Sequence, residues 1–384
     1  MSFSRPKRSI FDPEHEAFRS TVRHFLESEA QPRVNQWMSD GVIDRTFWKD
    51  AAALGLVGFA APVKFGGVGI TDFRYNAILN EEVVYSGVGT DAFSLTNDIV
   101  APYLINLTND EQKERWLPGL TDGSLAVAIA MTEPAAGSDL RGIQSRAVWN
   151  GNAYELSGSK TFITNGIQAD LVIVAANVER EGLSGIGLFV VEATMPGFSR
   201  GRKLEKIGRR AQDTAELYFD EVRVPESNVL GSADQGLRLL MRNLAQERLS
   251  IAITAIADAE HVLEFTVGYV EERHAFGAPI GRLQSVRFAV AEMVTEVRIG
   301  RAYIDHCIQL HVDGALTGDE AAGAKAWLTD LEWKVLDQCL QLHGGYGYME
   351  EYEIARRWRD ARVTRIYGGT NEIMKEIVGR SVGL

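Results

Sequence analysis

Apolar residues recur at helical spacing in the first and last thirds of the chain. Phe18, Val22 and Phe25 form one such stripe, which predicts a helix over residues 11–30. After residue 232 the stripes become longer, and segments of this length are typical of a helical bundle. Four helices are predicted there: 235–273, 283–310, 319–342 and 370–382.

The middle third has the pattern of short β-strands. Its apolar runs are separated by Gly and Pro, and in the last run Ala215, Leu217 and Phe219 alternate with polar residues. Regularly spaced short strands are typical of a small sandwich or barrel. The predicted strands are 125–131, 153–156, 171–176, 186–191 and 215–222.

These changes of pattern divide the chain into three domains. We predict an N-terminal helical domain over residues 1–123 and a central β-sandwich or barrel domain over 124–231. A C-terminal four-helix-bundle domain is predicted over 232–384. The expected fold class is therefore α+β.

The composition argues against several classes of protein. The 384 residues include 52 acidic and 40 basic side chains, and the formal net charge of −12 disfavours nucleic acid as a partner. The basic residues 5–8 are interpreted as a solvated tail. Apolar runs fall far short of the roughly 20 residues that span a membrane, and no signal core begins the chain. With only two cysteines and no Cys-x-x-Cys, we expect a cytoplasmic protein without membrane insertion.

Several segments rich in glycine or hydroxyl residues are candidates for ligand binding. Free backbone N–H groups in the loop 131–139 can bind an anion or a ring carbonyl. Phe162 can stack on a planar cofactor while Thr164 donates a hydrogen bond. Thr370 is a natural N-cap, and 341–348 combines a helix end with three glycines. Taken alone, each segment is also compatible with an ordinary loop, strand or helix cap, and no Rossmann, P-loop or His-Glu-x-x-His motif is present.

Glu247 lies on the apolar stripe of a predicted helix. Leu240, Leu244, Glu247 and Ile251 are spaced by four, three and four residues. A buried carboxylate must be paired or have a raised pKa, and a raised pKa suits a base that removes protons near neutral pH. The alternative is a glutamate at the edge of the stripe that reaches solvent or pairs with an arginine.

The order and separation of these segments resemble the acyl-CoA dehydrogenase family over nearly the whole chain. The segment 131–139 is similar to the family's first signature, and 341–347 with 367–372 is similar to the second. The resemblance implies bound FAD, oxidation of an acyl-CoA thioester to the trans-2-enoyl-CoA, and transfer of electrons to electron-transfer flavoprotein. It also implies a homo-oligomer, most often a tetramer, because each FAD is reached by a neighbouring subunit.

The resemblance also implies roles for individual residues. The residues that correspond to FAD contacts within one subunit are Ile129, Met131, Thr132, Ser138, Phe162, Thr164, Thr370 and Glu372. Those that correspond to contacts with the FAD of a neighbouring subunit are Arg273, Phe276, Gln284, Gln341 and Gly345. Residues on the substrate side are Ser138, Arg248 and Tyr367.

One position departs from the family pattern and decides the mechanism. Most members carry the catalytic Glu directly after the tyrosine that corresponds to Tyr367, where this chain has Gly368. Resemblance to the long-chain and isovaleryl members implies that the base is Glu247, while the Gly368 N–H stays free to bind the thioester oxygen. Alternatively the chain has lost its base and is a non-catalytic flavin-binding subunit. A third possibility is an acyl-CoA oxidase, which returns electrons to oxygen.

The sequence restricts the acyl group less closely. In the family, the helix that corresponds to the region after Tyr85 closes the acyl pocket. The small residues 86–89 predict a deep pocket, and Phe93 would shorten it. Medium or long straight chains are favoured, and branched, aromatic and sterol side-chain thioesters remain open.

Overall fold

The N-terminal part of the chain is helical, as its apolar stripes predict. The computed structural model describes residue 5 and residues 7–384. Side chains cap several helices, such as Asp44, which accepts a hydrogen bond from Phe47 N, and Asn109, which forms a capping box with Gln112. The helices are α1 (Pro13–Phe25), α2 (Val34–Asp40), α3 (Arg45–Ala53), α4 (Phe73–Tyr85), α5 (Ala92–Ser94), α6 (Ala101–Asn106) and α7 (Asp110–Thr121), with π-helical turns at Leu26–Ala30 and Leu95–Val100.

The middle of the chain forms one seven-stranded mixed sheet. Its strands are β1 (Val127–Ala130), β2 (Arg146–Trp149), β3 (Ala153–Thr164), β4 (Leu171–Arg180), β5 (Leu183–Glu192), β6 (Phe198–Lys203) and β7 (Thr214–Pro225). The order is β1-β4-β2-β3-β7-β6, with β5 also paired to β4; β1 and β2 run parallel to β4. The predicted alternation in β7 is present, since Leu217 and Phe219 are buried and Tyr218 is exposed. A register shift between Lys160 and Ile163 bends the end of β3.

The C-terminal part is a helical bundle whose core lies between three long helices. Its elements are α8 (Gly236–Glu272), β8 (His274–Ala275), β9 (Ala278–Pro279), α9 (Gln284–Val312), α10 (Gly318–His343), α11 (Glu353–Ala361) and α12 (Asn371–Ser381). Gly300 lets α9 approach the core closely, because a Cβ there would lie 2.6 Å from Ile256 Cδ1. The predicted α+β fold class, with helices before and after a β domain, is confirmed.

The N-terminal basic residues are attached to the helical core, so their interpretation as a solvated tail is wrong. The Arg8 side chain is 11% exposed and contacts both Glu81 and Asp305, the latter at 2.8 Å from Nε. Arg5 binds Glu264 at 2.6 Å. Pro6 lies outside the described residues. These cations face carboxylates on three different helices, which is why the segment binds the bundle.

Both cysteines are free and buried in the C-terminal core. Across residue 5 and residues 7–384, no helix is both long and apolar enough to cross a membrane.

Candidate active site

A cavity of about 790 Å³ lies where the sheet, α8 and the last helix meet. Its walls come from β1 and the loop that follows it, the end of β3, the π-helical turn Leu95–Val100, one face of α8, the loop 367–369 and α12. Segments far apart in sequence therefore converge on one space. The predicted site residues that line it are Ile129, Met131, Thr132, Ser138, Phe162, Thr164, Glu247, Arg248, Tyr367 and Gly368.

Glu247 is buried at the wall of this cavity, as the stripe on α8 predicts. The residue is 4% exposed. Its Oε1 accepts hydrogen bonds from Tyr103 Oη at 3.0 Å and Asn243 Nδ2 at 2.9 Å. In the part of the chain that the structure describes, no donor binds Oε2. One carboxylate oxygen is thus anchored and the other is left for a ligand.

The surroundings of Glu247 favour a neutral carboxyl more than water does. Burial is the largest influence and raises the pKa of Glu247 above its ordinary value. The hydrogen bonds from Asn243 and Tyr103, and the charge of Arg248, act in the opposite direction. The result is the environment expected for a carboxylate that removes a proton near neutral pH.

The π-helical turn Leu95–Val100 holds α8 against the N-terminal helices beside Glu247. Asn243 Nδ2 donates to Ile99 O at 3.3 Å, and Gln246 Nε2 donates to Asp98 O at 2.6 Å. A π-helical turn leaves backbone carbonyls displaced from regular α-helical bonding and is frequent at functional sites. The side chains that flank Glu247 on α8 are therefore fixed from the opposite wall.

Gly368 lines the same cavity in a conformation suited to glycine. Its φ is +64°, and a Cβ at this position would lie 2.4 Å from Ile251 Cδ1. Its carbonyl accepts a hydrogen bond from Arg248 Nε at 3.4 Å. The preceding residue is anchored as well, since Tyr367 Oη donates to Asp91 Oδ2 at 3.3 Å. Ile251 thus fills the space that a side chain on residue 368 would need.

The loop after β1 is held by a buried ion pair that the sequence analysis missed. Lys160 Nζ lies 2.7 Å from Glu133 Oε1 and donates to Met131 O at 3.0 Å. Glu133 also accepts hydrogen bonds from the backbone N–H groups of Gln144 and Ser145. Burial lowers the pKa of Lys160, and Glu133 opposes that shift. Both residues belong to segments singled out by sequence, but no spacing rule pairs them.

The bulge at the end of β3 exposes Phe162 to the cavity. Its φ is +60° and its side chain is 68% exposed, whereas its neighbours Thr161 and Ile163 are buried. An exposed phenylalanine at a left-handed position is unusual in a strand. Thr164 follows on the same wall. The predicted pair of an aromatic face and a hydroxyl is therefore brought to one place.

Seven predicted FAD residues lie outside the walls of the cavity: Arg273, Phe276, Gln284, Gln341, Gly345, Thr370 and Glu372. The Thr370 hydroxyl caps α12 by accepting from Ile373 N, as expected for an N-cap. The first five are at the surface of the C-terminal bundle, and Phe276 is 95% exposed at a φ of +54°. The Arg273 guanidinium lies 5.3 Å from the centre of the Tyr346 ring, so the two surface segments adjoin.

The expectation that Phe93 shortens the cavity is wrong. Phe93 is buried in the N-terminal core, where its ring packs against Trp48 at 5.0 Å and Phe47 at 5.8 Å. Gly87 and Gly89 line a separate recess of about 30 Å³, which has Thr254 in common with the main cavity. In this part of the chain, residues after Phe93, such as Leu95 and Ile99, line the main cavity.

Comparison with known proteins identifies the class of enzyme. Acyl-CoA dehydrogenase family models match the N-terminal domain over residues 12–124, the middle domain over 128–222 and the C-terminal domain over 234–383. The mitochondrial long-chain specific acyl-CoA dehydrogenase of Mus musculus is 46% identical over 378 residues, which is 98% of this chain and 88% of that protein.

Solved structures give the same result. An acyl-CoA dehydrogenase from Geobacillus kaustophilus superimposes with a TM-score of 0.95 and is 46% identical in sequence. The match covers 98% of this chain and 100% of the other. An acyl-CoA dehydrogenase from Bacillus anthracis complexed with FAD has a TM-score of 0.90 and 28% identity, covering 98% of this chain and 69% of the other.

The chain belongs to the acyl-CoA dehydrogenase family. It is an oxidoreductase of the FAD-dependent class, and the predicted family, enzyme class and cofactor are confirmed. The residues on the cavity wall fit the group, because Phe162 presents an exposed aromatic face beside the hydroxyls of Thr132, Ser138 and Thr164.

Proposed function

We propose that Glu247 is the base that removes the α-proton of an acyl-CoA thioester and that the Gly368 N–H binds the thioester oxygen. The observation that carries this proposal is the half-anchored, buried carboxylate of Glu247 at the wall of a cavity that Gly368 also lines. It favours catalysis over the alternative of a non-catalytic subunit, in which no carboxylate need face the cavity.

Glu247 and Gly368 have different roles in the reaction. Glu247 Oε2 takes the α-proton, and the electrons of that C–H bond form the new double bond. Charge that develops on the thioester oxygen is stabilised by a fixed backbone donor at Gly368. Bound FAD would supply the acceptor for the hydride of the β-carbon.

An anaerobic titration with saturated acyl-CoAs of increasing chain length tests this function. We expect the flavin absorbance to bleach and a trans-2-enoyl-CoA to form, with medium or long straight chains most effective. The long-chain relative from Mus musculus supports that order. A flavin-loaded protein that no thioester bleaches would contradict the proposal and favour the non-catalytic subunit.

We propose electron-transfer flavoprotein as the electron acceptor, in keeping with the family. The alternative of an oxidase predicts fast reoxidation of the reduced flavin by oxygen, so the two are separated by mixing the reduced protein with air-saturated buffer. Slow reoxidation supports the dehydrogenase.

We also propose a cytoplasmic location and the three-domain division 1–123, 124–231 and 232–384.

We propose further that the protein is a homotetramer in which surface residues of one subunit complete the FAD site of another. The support is the exposure of Phe276 and its neighbours, which correspond to FAD contacts yet lie outside the cavity of their own chain. Adjoining exposed apolar residues mark interaction surfaces, and the exposed Tyr346 lies beside this segment.

Phe276→Asp is expected to lower both the native mass and the FAD content per chain. A charge at a residue that packs into a subunit interface must be desolvated, which weakens association. Light scattering gives the mass, and absorbance gives the flavin content. Val63→Asp is the matched control, because Val63 is 72% exposed in the N-terminal domain. A Phe276→Asp protein that retains both the tetramer mass and full FAD would contradict the shared site.

Tyr103→Phe is expected to shift the acid limb of flavin reduction to higher pH. The Tyr103 hydrogen bond lowers the pKa of Glu247, so removing it raises that pKa further. Because the base acts only when ionised, more alkaline buffer is then needed for the same rate. Single-turnover reduction across pH measures the shift. Tyr154→Phe, which removes a buried hydroxyl of the β domain, should leave the profile unchanged; an unshifted Tyr103→Phe profile would contradict the assignment.

A further inference from the structure

Lys325 is a fully buried cation near the active site whose partners are oxygens of the loop that carries Gly368. It lies on α10 with 0% exposure, and its Nζ donates to Gly369 O at 2.8 Å and to Asn371 Oδ1 at 2.9 Å. Within residue 5 and residues 7–384, no carboxylate lies within 4.0 Å of Nζ. A buried charge without an ion-pair partner is unfavourable unless its hydrogen bonds compensate. These neutral acceptors are therefore its compensating partners.

A second buried cation holds the adjacent carbonyl of the same loop. Arg248, on α8, is 6% exposed and donates from Nε to Gly368 O. Two successive peptide carbonyls are thus bound by cations from two different helices. Both glycines have positive φ, +64° at Gly368 and +97° at Gly369, and neither has a side chain to restrain it. External bonds must fix the orientation of these peptides.

The N–H of Gly368 is free to bind a ligand. Gly368 lines the cavity, and among the described residues its N–H donates no backbone or side-chain hydrogen bond. A peptide unit is planar, so this N–H lies in one plane with the carbonyl of Tyr367. The carbonyls of Gly368 and Gly369 belong to the next two peptides, and holding them, together with the bond from Tyr367 to Asp91, limits how far the plane of this donor can turn.

Lys325 also attaches the loop to the start of the last helix. The Asn371 side chain receives Lys325 Nζ on its Oδ1 and donates from Nδ2 to Ala326 O at 3.2 Å and Thr329 Oγ1 at 2.9 Å. Asn371 is the first residue of α12 and is 1% exposed. One side chain thus links α10, α12 and the glycine loop.

We propose that Lys325 is a positioning residue that orients the Gly368 N–H toward the thioester oxygen by holding the Gly369 carbonyl. The proposal rests on the proposed function, in which that N–H stabilises the charge on the oxygen. Lys325 acts through the loop and does not contact the substrate. Its loss should therefore slow α-proton removal much more than it weakens binding of the acyl-CoA.

The test uses the FAD-loaded protein and a 3-thia-acyl-CoA, in which sulfur replaces the β-carbon. This ligand can lose its α-proton but has no hydride to give, so exchange of the α-hydrogens in D₂O reports proton removal alone. For Lys325→Met we expect exchange to slow by roughly 10–100-fold, part of the 10²–10³ that an oxyanion donor provides. The dissociation constant of the ligand should change by less than about threefold, because binding of the remaining groups is retained.

Lys334→Met is the matched control on the same helix. Lys334 is 45% exposed and pairs with Glu296 at 2.6 Å, away from the cavity. We expect wild-type exchange, ligand affinity and FAD content for this variant. A misplaced donor should slow exchange by far more than twofold. The proposal would therefore be overturned if the α-hydrogen exchange rate of the Lys325→Met protein lay within about twofold of the wild-type rate. Slower exchange matched by an equal loss of ligand or FAD binding would also overturn it, since that result indicates only structural damage.

Lys325→Arg keeps the proposal testable if the methionine variant does not fold. Arginine retains the charge but its planar fork cannot reproduce both lysine bonds. We expect normal FAD content and ligand affinity with exchange between those of the wild type and Glu247→Gln; unchanged exchange would overturn the proposal. Failure of the proposed function is distinguishable, because the wild-type protein itself would then show no α-hydrogen exchange.

Discussion

Glu247→Gln is expected to abolish most of the flavin reduction by saturated acyl-CoAs while leaving the fold and both ligands in place. The amide has nearly the same shape as the carboxyl, so the Oε1 hydrogen bond from Tyr103 is retained. It cannot take up a proton, and a positioned base typically contributes 10²–10⁴-fold, so the rate should fall by roughly that factor. Stopped-flow absorbance under anaerobic conditions measures it.

A control on the same helix separates this effect from a general loss of charge. Glu264→Gln changes a glutamate of α8 that is 39% exposed and bound to Arg5, outside the cavity. Its reduction rate should equal that of the wild type. If Glu247→Gln also reduced its flavin at close to the wild-type rate, another group would have to be the base.

Moving the base from residue 247 to residue 368 is expected to work better when Ile251 is made smaller. In Glu247→Gly/Gly368→Glu the new Cβ would lie 2.4 Å from Ile251 Cδ1, so the end of the Ile251 side chain has to move. Adding Ile251→Ala removes that atom, although a left-handed glutamate still costs about 1–2 kcal/mol. We expect the triple variant to reduce its flavin at least roughly 10-fold faster than the double variant, part of what a base contributes.

Ile251→Ala in the wild-type background is the control for this exchange. It enlarges the cavity without moving the base, so it should retain a reduction rate close to that of the wild type. Equal rates for the double and triple variants would contradict the view that Ile251 blocks a side chain on residue 368. Far-UV circular dichroism and FAD content establish that each variant is folded.

Local patterns predicted much of the fold and the inward direction of Glu247. The spacing of Leu240, Leu244 and Ile251 is set by the helix repeat alone, so a single segment contains the information. The strands of the β domain could be predicted in the same way, because the alternation of apolar and polar residues in β7 reflects one buried face. In each case the property belongs to neighbouring residues of one element.

Features that depend on contacts between distant segments were not predictable. One of the two anchors of Glu247 is Tyr103, which is 144 positions away. Phe93 was expected in the acyl pocket, but its burial depends on Trp48 and Phe47 from another helix. The buried pair of Lys160 and Glu133 likewise arises from the pairing of β3 with the loop after β1. Such contacts are set by tertiary packing, which a local residue pattern does not predict.

The buried charges between the N-terminal helices and the bundle show the same limit. Arg301 binds Glu260 at 2.6 Å and Glu81 at 2.9 Å, and Tyr85 completes the cluster. Glu81 and Glu260 both lie on helices whose buried faces carry further polar and charged side chains. Buried carboxylates are thus frequent in this fold. Glu247 is the buried one among the carboxylates that line the cavity, and in the described part of the chain no arginine or lysine binds its second oxygen.

The most direct test of Glu247 as the base is α-hydrogen exchange of a bound 3-thia-acyl-CoA, compared between the wild type and Glu247→Gln. This measurement follows proton removal and is independent of hydride transfer to the flavin. We expect exchange in the wild type and its loss in Glu247→Gln, with ligand affinity and FAD content unchanged. Equal exchange in both proteins would contradict it and place the base elsewhere in the cavity.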